Sequence, residues 1–210
     1  RLLLEKVRTM SSDPAIPYHL AELGFAREDA AEGRRWAQTG LAELPKDGTP
    51  ADHLMRLRLR SRFSYDDALH KDYAAQAERN PNNPEFLVDW VSALHRAGAA
   101  EEAGEPLALL RERFPERDLE TRRLEAERFR RLGDDGARRA HIARSLALYP
   151  EEPDFIYAHA EDSLRGKRWG RAEAAATRRS SFPSSAVAAD EILLDARSGG
   201  RTHAGPSLRW

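Results

Sequence analysis

Six prolines, each preceded by a helix-like run, divide the chain at near-constant intervals: Pro14, Pro45, Pro81, Pro115, Pro150 and Pro183. The intervals are 31, 36, 34, 35 and 33 residues. Three of these prolines stand 17 residues after a glycine (Gly98, Gly133 and Gly166), and three follow an aromatic (Phe114, Tyr149 and Phe182). Proline stops a helix because it lacks an amide donor and clashes with the preceding turn. Glycine ends one by entering left-handed backbone without a Cβ penalty. Breakers at these spacings leave room for two short helices per interval. Such a pair cannot bury its apolar faces alone, so neighbours of the same kind must cover it.

The clearest pair runs from Pro84 to Pro115. Leu87, Trp90, Val91 and Leu94 form one stripe of a first helix, which Gly98 ends. Ala99 to Glu102 make the turn, and Ala103, Leu107, Leu110 and Phe114 line a second helix that Pro115 stops. With its 34-residue unit of helix, turn and helix, the sequence resembles the tetratricopeptide repeat family. The likeness is best over 84–183 and degenerate over 1–81. It implies an all-α, right-handed α-solenoid of about five to six stacked repeats spanning 1–197.

In chain order, 1–10 is expected as a helix packing Leu2, Leu3, Val7 and Met10. The next pair presents Tyr18, Leu20, Leu23 and Phe25, then Trp36, Leu41 and Leu44, with Asp29 capping its second helix. Thr49 reads as an N-cap with Pro50 at the first helical position. Over 54–63, Arg56, Arg58, Arg60 and Arg62 alternate with Leu57, Leu59, Ser61 and Phe63, a strand-like period of two. The surrounding 34-residue period and the helix propensity of Leu and Arg predict a helix here. Its arginines read either as a site for an anionic partner or as solvated side chains lying over a helical surface. A helix over 66–79 should turn Ala68, Leu69, Tyr73 and Ala77 inward. Then come Leu119, Leu124, Ala126, Phe129 and Leu132, the Gly133–Gly136 turn, and Ile142, Leu146 and Leu148. The last full repeat carries Phe155, Ile156, Ala158 and Leu164, followed by Gly166, Trp169 and an alanine-rich helix to Thr177. A capping helix is expected over 184–197, and 198–210 is a non-helical tail or linker.

The sequence offers little for catalysis. There is no cysteine, which removes thiolate metal sites and disulfides. His159 and Glu161 match half of a zinc deaminase signature whose other half requires cysteine. No H-E-x-x-H, phosphate loop or nucleophile elbow occurs. Gly133-Asp-Asp-Gly136 is too short for a calcium loop and reads as a turn. The seven histidines fall in different repeats without a close pair for metal. Trp36, Trp90 and Trp169 occupy core-like positions. No enzymatic activity, cofactor or metal is expected. A net charge of −1 gives no field that would steer the chain to nucleic acid. No apolar run approaches the roughly 20 residues of a membrane helix. The chain opens Arg1-Leu-Leu-Leu-Glu without Met, inside what reads as an earlier repeat, so it is expected to be a piece of a longer protein.

In the repeat family the first helices line a concave groove. Counting from Pro84, the resemblance places Val88, Ser92, His95 and Arg96 towards that groove. Counting from Leu119, it places Arg123, Glu127, Arg130 and Arg131 there, in a register made less regular by an extra residue. Arg123, Arg130 and Arg131 would form a basic patch suited to the carboxylates of a partner. Alternatively they are a solvated face paired locally with Glu120, Glu125 and Glu127. The family's carboxylate clamp of Lys, Asn and Arg is not reproduced, so a chaperone C-terminus is not the expected partner. The leading expectation is a scaffold that docks a protein or peptide. A second is a periplasmic segment of a bacterial exopolysaccharide export protein, binding the polymer or its modifying enzyme. A third is the regulatory region of a larger enzyme. Both cytoplasm and periplasm fit.

Overall fold

A computed structural model describes residues 13–167, together with Lys6, Ala174 and Thr177. The helices expected over 1–10 and 184–197, Trp169 with most of the alanine-rich stretch after it, and the tail 198–210 lie outside the described residues. The described residues form nine α-helices and no strand. These are α1 (Ala15–Ala26), α2 (Ala30–Glu43), α3 (Pro50–Arg60), α4 (Asp67–Arg79), α5 (Glu85–Ala97), α6 (Gly104–Arg113), α7 (Asp118–Leu132), α8 (Asp135–Leu148) and α9 (Pro153–Arg165). A 3₁₀ turn, Pro115–Arg117, follows α6. Two compact units divide the chain after it, at Arg117 and Asp118.

The helix boundaries follow from local chemistry. Asp29 accepts from the Glu32 amide at 3.0 Å and starts α2. Thr49 and Asp52 form a reciprocal capping box around Pro50 at the start of α3. Gly98 closes α5 at φ 78°, a conformation that costs a residue with a Cβ. Asp134 accepts from the Ala137 amide at 2.8 Å, so the Gly133–Gly136 segment is a turn and an N-cap. The arginine-rich stretch is helical to Arg60, with residues 61–63 in a turn. Within the helix Arg56 and Arg60 stand one turn apart, and Leu54, Leu57 and Leu59 are buried.

In the first unit each helix packs on the next, while α3 also packs on α1 and α5. Gly24 permits the close crossing of α1 and α2. A Cβ there would lie 2.7 Å from the Gly33 nitrogen, so no larger residue fits without displacing backbone. The core contains Tyr18, Ala21, Ala37, Leu44 and Leu59, with Phe25, Trp36 and Leu41 partly buried against it. Around α5 it continues through Phe86, Leu87, Trp90, Val91 and Leu94, all at most 1% exposed. The Trp90 indole donates to the Tyr65 hydroxyl at 2.8 Å, and the Tyr73 ring stacks on it. Ala68, expected inward, is exposed; Leu69, Tyr73 and Ala77 fill that face of α4 instead.

In the second unit α8 packs on both α7 and α9. Thr121 is the one buried residue of α7. Leu132 and Leu148, expected to be packed, are 37% and 59% exposed. The buried residues of α8 are Arg138, His141, Ile142 and Ser145, so this interior is substantially polar.

Candidate functional site: a charged cavity on the first helices

The alternating arginines of α3 are tied to neighbouring helices. Arg56 donates to the carbonyls of Leu41 and Leu44, satisfying acceptors left open at the end of α2. Arg60 pairs with Asp72 on α4. Arg58 donates through Nε to Asp89 on α5 and through Nη1 to the Tyr18 hydroxyl on α1 at 3.2 Å. Arg62 forms a two-pronged pair with Glu22 on α1, at 3.2 and 2.6 Å. Its guanidinium also lies over the Phe25 ring, 5.1 Å from the centroid. The arginines are therefore neither simply solvated nor uniformly available to a partner.

Tyr18, Glu22, Arg58, Arg62, Asp89 and Arg96 line a cavity of about 260 Å³ between α1, α3 and α5. Electrostatics within it are strong. Burial opposes the charge of Arg58, but the Asp89 carboxylate outweighs it and raises the arginine's pKa. Burial pushes the Asp89 pKa up, with Arg58 opposing. Partial desolvation, followed by the Arg62 guanidinium, lowers the pKa of Arg96. Arg96 donates from Nη2 to the Ser61 hydroxyl at 2.9 Å. Of the residues expected towards the groove, Arg96 thus lines the cavity, Val88 and Ser92 are half-buried, and His95 is only 4% exposed. At that exposure His95 offers little surface to a partner. The sequence marked Tyr18 only as an apolar packing residue and did not mark Glu22 or Asp89. Arg62 and Arg96, however, stand 34 residues apart, one repeat period, and that spacing is the signal that joins them.

The second group of expected residues lies in the second unit. Arg123, Glu127 and Arg130 line a cavity of about 240 Å³ with Ala126, Arg138, Asp154, Phe155 and Ala158. Its cations are neutralised by nearby carboxylates. Arg123 pairs with Glu152 at 2.6 Å and Asp154 at 3.2 Å, which raises its pKa chiefly through the Glu152 bond. Glu127 accepts both prongs of Arg130 at 2.6 Å and Nε of Arg131 at 2.6 Å. Arg130 first, then Arg131, holds the Glu127 carboxyl below its ordinary range. The patch expected to be basic is thus internally compensated at these positions.

A Ser–His–Glu arrangement also occurs in this unit. His141 Nε2 lies 3.5 Å from the Ser145 oxygen, and Nδ1 lies 3.5 Å from Glu125 Oε2. Nε2 is closer to the Arg122 carbonyl, at 2.9 Å, where it must donate a proton. A nitrogen carrying that proton is not the base a serine nucleophile needs, and Ser145 is fully buried. The group holds helices together. Among the described residues no cluster of three His, Asp or Glu side chains is placed to hold a metal. No helix there is long and apolar enough to cross a membrane. Comparison with family models finds no match, and comparison with curated proteins finds none either.

Proposed function

We propose that the chain is a tetratricopeptide-like solenoid acting as a non-enzymatic scaffold, with a partner protein docking on α1, α3 and α5 of its first unit. The observation that carries this reading is the charged cavity those three helices enclose, lined by side chains from alternate helices along the chain. A helix-pair stack brings every second helix to one face, where short segments distant in sequence act together. The 34-residue period and the packing of α3 on both α1 and α5 support the same architecture.

A photo-reactive residue placed at Ser92, beside the cavity, tests the reading in the source cell. The control position is Lys71, exposed on α4. A discrete protein adduct at Ser92 and none at Lys71 is the expected result. Equal labelling at both positions, or none at Ser92, would remove this face as the docking surface. An adduct containing polysaccharide would replace the protein partner with a polymer.

A further inference from the structure

Arg62 and Arg96 differ from the other guanidinium groups in the two cavities. The three nitrogens of Arg58 face Asp89, Tyr18 and, at 3.7 Å, Glu85. In the second unit Arg123 and Arg130 hold carboxylates, and Arg138 pairs with Asp162 at 2.6 Å. Arg62 uses Nε and Nη2 on Glu22, leaving Nη1 without a partner among the described residues. Arg96 uses Nη2 on a neutral hydroxyl, leaving Nε and Nη1 without one, and it forms no ion pair there. The two cations face one cavity, where Arg62 disfavours the charge of Arg96. Arg62 is also held in place by its fork to Glu22 and by the Phe25 ring. An arriving anion would meet donors that need little ordering.

We propose that Arg62 and Arg96 form a receptor for one carboxylate, supplied by an acidic side chain of a docked peptide. The inference rests on the docking reading and names the chemistry at its centre. A cavity of about 260 Å³ is below the roughly 300–1,000 Å³ usual for whole small-molecule ligands and suits a single side chain. Glu22 and Asp89 line the same cavity and would repel a second nearby negative charge. That favours an isolated Asp or Glu over a polyanion such as a uronate polymer. Arginine forks match carboxylate geometry through paired N–H groups, an arrangement lysine does not reproduce.

The test uses the full chain with its arginine Nε–H groups observed by nitrogen-15 NMR. The probes are a capped heptapeptide with one central glutamate, its glutamine counterpart, oligogalacturonate and inorganic phosphate. The glutamate peptide should shift the Arg62 and Arg96 signals saturably, with the glutamine peptide inert. Arg96→Gln should weaken that response about tenfold or more, as expected for loss of a charged hydrogen bond. Arg96→Lys should restore it only in part. Arg96 is exposed and bonds only the Ser61 hydroxyl among the described residues, so an unchanged circular dichroism spectrum is expected for both variants. Equal response to the glutamine peptide, no response to the glutamate peptide, or preference for phosphate or oligogalacturonate overturns the inference. A Ser92 adduct that survives Arg96→Gln at full yield also overturns it while leaving docking intact. Loss of the adduct from the parent chain, with the peptide response retained, removes docking alone.

Discussion

The helix pairs α5–α6 and α7–α8 come from adjacent intervals of the same proline period, yet they are held by different forces. α5 buries Phe86, Leu87, Trp90, Val91, Ala93, Leu94 and His95, and α6 adds Pro106, Leu107 and Leu110. α7 buries only Thr121, and α8 buries an arginine, a histidine and a serine around Ile142. The first pair rests on apolar transfer and aromatic packing, a driving force that carries no titrating charge. In the second, a histidine bonded to a backbone carbonyl joins α8 to α7 and a buried ion pair ties α8 to α9, and both are sensitive to titration. A regular spacing of breakers therefore specifies helices and turns without specifying what cements them. The difference also extends to charge placement. In the first unit the arginines of α3 join separate helices, whereas in the second Arg130 and Arg131 are neutralised within α7 while Arg123 and Arg138 reach α9.

Substitutions can break this comparison. Trp90→Ala removes the largest fully buried side chain among the described residues and leaves Tyr73 without its stacking partner. It should cost roughly 3–5 kcal/mol in denaturant unfolding, whereas Leu148→Ala, on the 59% exposed α8 residue, should stay within about 0.5 kcal/mol. Comparable losses would refute the distinction. Asp162→Ala should cost about 3 kcal/mol because it leaves the Arg138 guanidinium, 5% exposed, without its closest carboxylate. Combining Arg138→Met with Asp162→Leu should recover most of that loss. A double variant as unstable as the single one would mean that the ion pair itself, and not the stranded charge, supports the unit.

The smallest expected effect is the dependence on pH. Burial, more than any neighbour, lowers the pKa of His141 below its ordinary 6.5; the Arg122 carbonyl and Glu125 oppose it. The folded state thus favours neutral imidazole. Its contribution to stability is complete above pH 6.5 and diminishes as pH falls and the unfolded chain takes up the proton. Denaturant midpoints compared at neutral and mildly acidic pH should show this fall. His141→Gln, which keeps a donor for the Arg122 carbonyl, should flatten it. An equally steep fall in the variant would assign the acid sensitivity to other groups.

Much of the fold was legible because its signals are local. Asp29, Thr49, Pro50 and Gly98 act on backbone within a few residues, so their spacing alone places helix ends. The arginines of 54–63 alternate as a strand would, but the surrounding period predicted a helix, and the stretch is helical to Arg60. Their partners were out of reach: Arg58 bonds Asp89 across 31 residues, and Arg62 bonds Glu22 across 40. Such pairs depend on how helices pack, which composition and periodicity do not encode. The exposed Leu132 and Leu148 have a related cause. Hydrophobic spacing identifies the side of a helix but not whether a neighbour covers it. Arg96 was reachable through the repeat register, while the local compensation of Arg123 and Arg130 depended on side-chain geometry.

Arginine footprinting with a dicarbonyl reagent, with and without the protein captured through Ser92, tests most directly that the partner occupies the first-unit face. Mass spectrometry would report modification at Arg96 and at Arg130, both exposed in the free chain. The account predicts strong protection of Arg96 by the partner and unchanged modification of Arg130. Protection of Arg130 with Arg96 still fully reactive would contradict it and move docking to the second unit.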